Sequence, residues 1–413
     1  MNAALDPDPA VPQRDLMLDP RRMAVRLGRL LAVEIDSCRQ VRVKYRVAAR
    51  LRTVHKIRAG SSTFDVAASS FPSLERSERA YADALERVVE CGPVPPVLLD
   101  RELRAVFWTF PNDRKIKGLP ALSGPADSLA DLHPAWRRSE VASYAPEKAA
   151  TVRCLDDDGR TVGYAKAYVG EEGARARRVH ESLTSELDAE DPQLVLPRAL
   201  GYSTPHRTLL VESVEGAPLH AVSDPRIGYR RLGRALARLH GLPAPDSVRF
   251  RRADPDRLDA AARLIASVRN DVAESARELV SELRSRLDGE AEALCLHGDV
   301  NFRNALLENR RVALIDLDQV ATGPAAAELG SVLASLRYAG VVGLLPAFRV
   351  PELCASLISG YAEVRPAPAD EALRAHTAAA LLGERALRVV TRVREEGLRR
   401  LPQLLGTARE MLA

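Results

Sequence analysis

Within the stretch LCLHGDVNFRNALL, residues 294–307, the polar residues have the types and spacing of a reactive loop. Asp299 and Asn304 stand five residues apart, and Asp316 follows twelve residues later at the end of the apolar run RVALID. A strand–turn–strand between Asn304 and Asp316 sets those two side by side at the mouth of a hairpin. Two carboxylates and an amide oxygen then converge. Such an all-oxygen set suits a hard divalent cation like Mg2+, which takes few protein ligands beside phosphate and water. Apolar flanks fix the loop on strands and exclude water, and both strengthen electrostatic catalysis. The competing reading is a buried turn whose Asp and Asn cap backbone groups. The acidic run LIDLD at the right distance argues against it.

The elements around this loop must hold it. Residues 1–20 read as a disordered tail, and a helix follows over about 21–36. Residues 41–58 and STFDVAASSF read as strands, SERAYADALERVVE as a helix, and PVLLDRELRAVFWTF as a hairpin turning near Arg101–Glu102. The Pro-, Gly-, Asp- and Ser-rich residues 111–139 mark a domain boundary, with a short helix around Ser128–Leu132. KAATVRCLDDDGRTVGYAKAYV is then a hairpin with a DG turn at Asp156–Gly159. GARARRVHESLTSEL is a helix, LVLPRALGYSTPHRTLLVESV gives two strands, and a long helix covers roughly 254–288. NALLENRRVALIDLD is a further hairpin, and 325–413 reads as helical. GSSTFDVAASSF lies over DGRTVGYAKAYV in the order hairpin, helix, hairpin, which raises an internal duplication; Lys166 then corresponds to Ala68 or Ser69.

HGDVNFRN followed by LIDLDQVATGP resembles the aminoglycoside phosphotransferase/choline kinase group, small-molecule kinases of the protein-kinase-like fold. GYAKAYV resembles that group's lysine strand, TLLVESVEGAPL its hinge, and RLGRALARLHGLP the helix after it. The resemblance spans roughly 141–335. It implies an α+β, two-lobed fold, with an antiparallel-sheet N-lobe over 140–213 and a mainly helical C-lobe over 214–413 that carries the catalytic and metal-binding hairpin at 294–318. Residues 21–139 form an extra N-terminal α+β domain, with a degenerate N-lobe duplicate as one reading of it.

By that resemblance Asp299 orients the acceptor hydroxyl and takes its proton, Asn304 and Asp316 hold Mg2+, and His297 braces the loop. Asp318 shares a strand face with Asp316 if the run stays extended. It is then either a further metal ligand or a structural hydrogen-bonding group. Lys166 is the last lysine of the chain, and everything after it uses arginine. A compact ammonium is not replaceable by a guanidinium, so Lys166 is assigned to the α/β-phosphates of ATP, with a solvent-facing edge lysine as the alternative. Glu181 is its first-choice carboxylate partner and Glu186 the second. The Glu212 carbonyl and Val214 amide meet the adenine, Val211 and Val214 line its slot, and Gly216 lets the chain turn onward. No GxGxxG covers the phosphates. A clamp at SYAPEKAATV rests on backbone amides, with Lys148 or Ser143 assisting. Glu328 anchors the catalytic segment.

Composition bounds the partners. The formal net charge of +4 is no nucleic-acid footprint. Five scattered cysteines without CxxC spacing fit a reducing cytoplasm. No run reaches the length of a membrane span. Residues 331–413 hold eleven arginines against eight acids, which disfavours a polycationic acceptor over a neutral or anionic hydroxylated one. Arg303 either meets an anionic group or pairs with a neighbouring acid. The expected activity is ATP- and Mg2+-dependent phosphorylation of a small-molecule hydroxyl. The alternative is a catalytically silent nucleotide-binding or regulatory protein of the same fold.

Overall fold

The computed structural model describes residues 5–188, 191–246, 248, 254–287 and 292–413. They form two compact units. The first comprises Met1–Ala174, Leu200–Val211 and Val390–Glu395; the second comprises Arg175–Ala199, Glu212–Val389 and Glu396–Ala413.

The first unit begins with helices α1 (Arg14–Leu18) and α2 (Pro20–Leu31). Pro20 at the first turn and the Asp19 carboxylate on the Arg21 and Arg22 amides start α2. The tail expected to be disordered is therefore structured over its described part. Val11 and Met17 are fully buried, and the Asp8 carboxylate accepts from the Tyr45 hydroxyl at 2.5 Å and the Ala48 amide at 2.9 Å. The few apolar residues among the prolines suffice as anchors.

Strands β1 (Ser37–Arg46), β2 (Arg50–Ala59) and β3 (Ser62–Ser70) lead through α3 (Leu74–Leu85) to β4 (Val97–Asp100) and β5 (Ala105–Thr109). They form an antiparallel sheet of order β1-β2-β3-β5-β4. The connection that follows holds α4 (Leu119–Ser123) and α5 (Pro125–Ser128). A second sheet takes β6 (Arg138–Ala145), β7 (Ala149–Leu155) and β8 (Thr161–Tyr168). After α6 (Glu172–Glu186), the short β9 (Leu194–Val195) joins another sheet, while β10 (Ala199–Ser203) and β11 (Thr208–Val211) complete this one. Its order, β6-β7-β8-β11-β10, repeats that of the first.

The two sheets share one core. Val54, Ala67, Val106 and Trp108 of the first pack with Ala150, Val152, Ala165 and Ala167 of the second. Ile116, Leu119, Leu122, Leu129 and Trp136 of the connection fill the same core. The boundary expected at 139/140 is thus not a division between compact units: apolar residues at near-helical spacing tie 111–139 to both sheets.

The second unit carries α7 (Pro225–Leu239), α8 (Pro255–Ala266) and α9 (Ala273–Leu287). The long helix expected over 254–288 is two, broken at a 3-10 turn, Asn270–Val272. Packing α8 on α9 buries Leu258, Ala261 and Ile265 together with Ala276, Leu279 and Leu283; one continuous helix would separate them. β12 (Ala217–Pro218), β14 (Ala305–Glu308) and β15 (Arg311–Leu314) join β9 in the order β12-β14-β15-β9, and β13 (Leu294–Leu296) pairs with β16 (Ala321–Gly323). Helices α10 (Ala325–Val341), α11 (Val350–Ala362), α12 (Asp370–Ala380), a π-helical turn Leu381–Ala386, α13 (Leu387–Arg392), α14 (Glu395–Arg399) and α15 (Leu401–Glu410) complete the fold. Among the described residues, no helix is long and apolar enough to cross a membrane.

His55 on β2 is fully buried, and burial pushes its imidazole down to about 4 from an ordinary 6.5. His376 on α12 is lowered to about 4 for the same reason. A neutral histidine with a depressed folded-state pKa stabilises fully above the unfolded value, and that contribution is lost as pH falls toward 4. Stability measured by urea unfolding should drop between pH 7 and pH 5, by about 2 kcal/mol for each histidine. His55→Gln should flatten part of that slope.

Candidate active site

Residues 297–304 connect β13 to β14, and a buried carboxylate on α10 holds the start of this loop. Glu328 is fully buried, so its oxygens need hydrogen-bond donors. Its Oε2 accepts from the His297 amide at 2.7 Å and its Oε1 from the Gly298 amide at 2.8 Å. His240, at the end of α7, places Nε2 3.2 Å from Oε2, and its Nδ1 lies 3.0 Å from the Tyr361 hydroxyl on α11. Gly298 has φ +85°, and a Cβ there would stand 1.8 Å from the Gln319 carbonyl oxygen. Only glycine fits both the left-handed backbone and the close approach.

The His297 ring is fully committed to backbone. Its Nδ1 accepts from the Asp299 amide at 3.3 Å, which puts the proton on Nε2, 3.0 Å from the Ile315 carbonyl. The Asn304 and Asn301 amide groups both donate to the Asp299 carbonyl at 3.0 Å. That bond uses the Asn304 NH2 and leaves its oxygen for a cation. The hairpin registers Ala305 against Leu314, and the Ile315 amide donates to the Asn304 carbonyl at 2.9 Å. Asn304 and Asp316 therefore stand at the same mouth. Asp316 is exposed and in the left-handed region, φ 65° and ψ 64°. Both side chains suit a hard cation with water and phosphate as its other ligands. Among the described residues no group of three or more His, Cys, Asp or Glu forms a metal site. Asp318 does not share a strand face with Asp316, because Leu317–Gln319 is a 3-10 turn; its carbonyl accepts from Arg175 at 3.3 Å.

Asp299 is about one-third exposed, and Arg388 on α13 places Nη2 3.6 Å from its Oδ1. Arg303 lies over the Phe302 ring, 5.4 Å from its centroid.

The remaining expected site residues sit as follows. Lys166 is on β8, registered with Thr151 and Leu209, with Nζ 5.5 Å from the Tyr168 ring centroid. It belongs to the first unit, whereas the loop above belongs to the second. Glu181 on α6 pairs with Arg177 one turn away at 2.6 Å; Glu186 ends the same helix. Glu212 returns the chain to the second unit just after β11. Arg198 holds its carboxylate at 2.9 Å and below the usual range. Val214 follows outside regular secondary structure, half-buried. Gly216, φ +147°, passes against the Leu307 carbonyl, which a Cβ would meet at 2.9 Å.

Residues 163–367 match the model of APH, the phosphotransferase enzyme family. They belong to that family. No curated protein sequence matches the chain. Solved structures similar to it include aminoglycoside phosphotransferase APH(3'')-Id from Streptomyces rimosus, 20% identical, covering 62% of this chain and 94% of that one at TM-score 0.43. Macrolide 2'-phosphotransferase MphH from Brachybacterium faecium is 19% identical, covering 68% and 97% at TM-score 0.44. A choline/ethanolamine kinase family protein from Mesorhizobium loti is 14% identical, covering 71% and 92% at TM-score 0.47. None reaches 0.5, and the family membership stands on the family model.

Within the phosphotransferase domain, the quoted helix RLGRALARLHGLP already contained His240. Glu328, 88 residues away, was expected to anchor the catalytic segment, but nothing local marked its link to His240, nor Tyr361, 121 residues from His240. Arg388 likewise had no local signal.

Glu328→Gln leaves one amide oxygen for two backbone donors and turns an NH2 group toward one of them. It should cost about 2–3 kcal/mol in urea unfolding and speed hydrogen exchange at the His297 and Gly298 amides.

Proposed function

We propose that this phosphotransferase-family chain moves the γ-phosphate of ATP to a hydroxyl of a small molecule, with Mg2+. The carrying observation is the loop itself, in which Asp299, Asn304 and Asp316 are fixed by backbone bonds anchored on Glu328. Asp299 orients the acceptor hydroxyl and receives its proton. Phosphoryl transfer passes through a loose transition state, so positioning and charge neutralisation carry the rate. Mg2+, when bound, supplies that neutralisation, and Asn304 and Asp316 are the residues that would hold it.

Lys166 is assigned to the α/β-phosphates and Glu181 to Lys166, with Glu186 as the second choice. The present Arg177–Glu181 pair is no obstacle: an exposed pair one turn apart is worth about 0.3–0.5 kcal/mol. The Glu212 carbonyl and Val214 amide are assigned to the adenine. The five cysteines are free, which agrees with a reducing, cytoplasmic setting.

The acceptor class follows from charge. Arg388 beside Asp299 opposes a polycation at the reacting hydroxyl. A sugar or another neutral or anionic hydroxylated metabolite therefore fits better than an aminoglycoside-like antibiotic.

The first sheet is read as a degenerate copy of the second. Beyond strand order, Phe71 donates to the Arg104 carbonyl as Tyr168 does to that of Arg207, at 2.9 and 3.0 Å. The Arg104 and Arg207 side chains each donate back to the neighbouring carbonyl, Pro72 and Val169. Arg104 and Arg207 both have positive φ. Ser69, registered with Arg52 and Val106, takes the place of Lys166.

The test is ATP consumption against sugars, amino sugars, sugar acids and amino alcohols, beside Asp299→Asn. Wild type should turn over at least one acceptor. The variant should lose 100-fold or more, roughly the scale of a lost general base, while still binding Mg·ATP. Wild type that binds Mg·ATP but phosphorylates nothing favours the silent, regulatory reading.

A further inference from the structure

The turn between β6 and β7 spans Ala145–Lys148 and is closed by the Lys148 amide on the Ala145 carbonyl at 3.0 Å. Pro146 takes its second position and Glu147, φ +57°, its third. That is the pattern of a type II turn, whose third position ordinarily takes glycine or asparagine. Glutamate there is disfavoured unless its surroundings hold it.

They do hold it. The Glu147 side chain is fully buried and meets Arg50 at 2.8 Å, Arg52 at 3.4 Å and Arg114 at 2.5 Å. Arg50 and Arg52 come from β2 of the first sheet, and Arg114 from the connection after β5. The turn backbone is fastened to the same region. The Glu147 amide donates to Asp113 at 2.8 Å, and Arg52 donates to the Pro146 carbonyl at 2.7 Å. Asp113 is in turn held by the Tyr144 hydroxyl at 2.9 Å, which accepts from Trp108 at 2.6 Å. Arg50 and Arg114 both lie over the Phe71 ring. Lys148, next in the turn, is exposed.

We propose that Glu147 is a positioning residue: through Arg50, Arg52 and Arg114 the N-terminal sheet fixes the β6–β7 turn so that its tip, with Lys148, meets the phosphates of the nucleotide. This rests on the phosphotransferase reading. A glycine-rich loop reaches phosphate through backbone freedom. This turn has no glycine, and an external clasp sets its geometry instead. The N-terminal extension then has a defined task in nucleotide binding.

The experiment compares binding of Mg·ATP and of adenosine by calorimetry, in wild type, Glu147→Gly and Lys148→Ala. Glu147→Gly keeps a residue suited to positive φ and removes only the clasp. It should weaken Mg·ATP about tenfold or more and leave adenosine unchanged. Lys148→Ala, on the exposed tip, should do the same with an unaltered unfolding midpoint, and it carries the test if Glu147→Gly does not fold. Unchanged Mg·ATP affinity in the variants, or parallel loss of both ligands, overturns the proposal alone. Wild type that binds no Mg·ATP overturns the phosphotransferase reading and this proposal with it.

Discussion

The buried carboxylate of Glu328 is the fixed point of the candidate catalytic loop. Taking a carboxylate out of water is costly unless every oxygen is paired. Here the pairing is done by the backbone of the loop, so the loop's position and the burial of Glu328 depend on each other. His240 completes the set from α7 and passes the constraint to Tyr361 on α11. Three helices that are distant in sequence thus fix one short stretch. Gly298 is what allows the stretch to sit so close, because any side chain would strike the Gln319 carbonyl. The loop's hydrogen bonds then propagate outward through His297 to Ile315 and through Asn304 to Asp299, so Asp299 and Asp316 stand on a common frame.

That frame leaves the reactive groups differently placed. Glu328 and His297 are buried and satisfied, whereas Asp316 is exposed and Asp299 partly so. The bracing groups are buried, and the candidate reactive groups face solvent. Arg388 enters at this point. It follows the π-helical turn Leu381–Ala386, an irregularity that shifts the facing of everything after it and recurs at functional sites. A half-exposed pair at 3.6 Å holds Asp299 weakly. It leaves the carboxylate available and places positive charge beside it.

The hairpin of Asn304 and Asp316 was legible because its signals are local: alternating apolar residues, a turn, and fixed offsets. The individual strands of both sheets were legible from the same kind of pattern, whereas their order comes from the structure. What escaped reading depends on distant partners. The 111–139 segment has linker composition, yet Ile116, Leu119 and Leu122 are spaced to bury one face, and the shared core decides in their favour. The described part of the 1–20 tail is ordered by Asp8 reaching Tyr45, which no local pattern reveals. The long helix failed for the same reason. Its periodicity is continuous, but the gain from folding it back on itself is tertiary. Asp318 does not share a face with Asp316 because Asp316 adopts a left-handed backbone, breaking the strand on which the spacing argument relied.

The two similar sheets differ in the face each gives to the core. Strand alternation puts Ala165 and Ala167 on one face of β8 and Lys166 on the other. The second sheet gives its alanine face to the shared core, so the Lys166 face lies away from it. In the first sheet the corresponding face, bearing Ser69 with Ala67, Val54, Val106 and Trp108, is the one turned into that core. The sheets therefore meet through non-equivalent faces. Opening the first for a ligand would expose a buried tryptophan and its apolar neighbours, at about 25 cal/mol per Å² of apolar surface. A lysine in place of Ser69, which is fully buried, would face the cost of desolvating its charge. With that face buried, the first sheet is the support on which the β6–β7 turn of the second is fastened through Glu147.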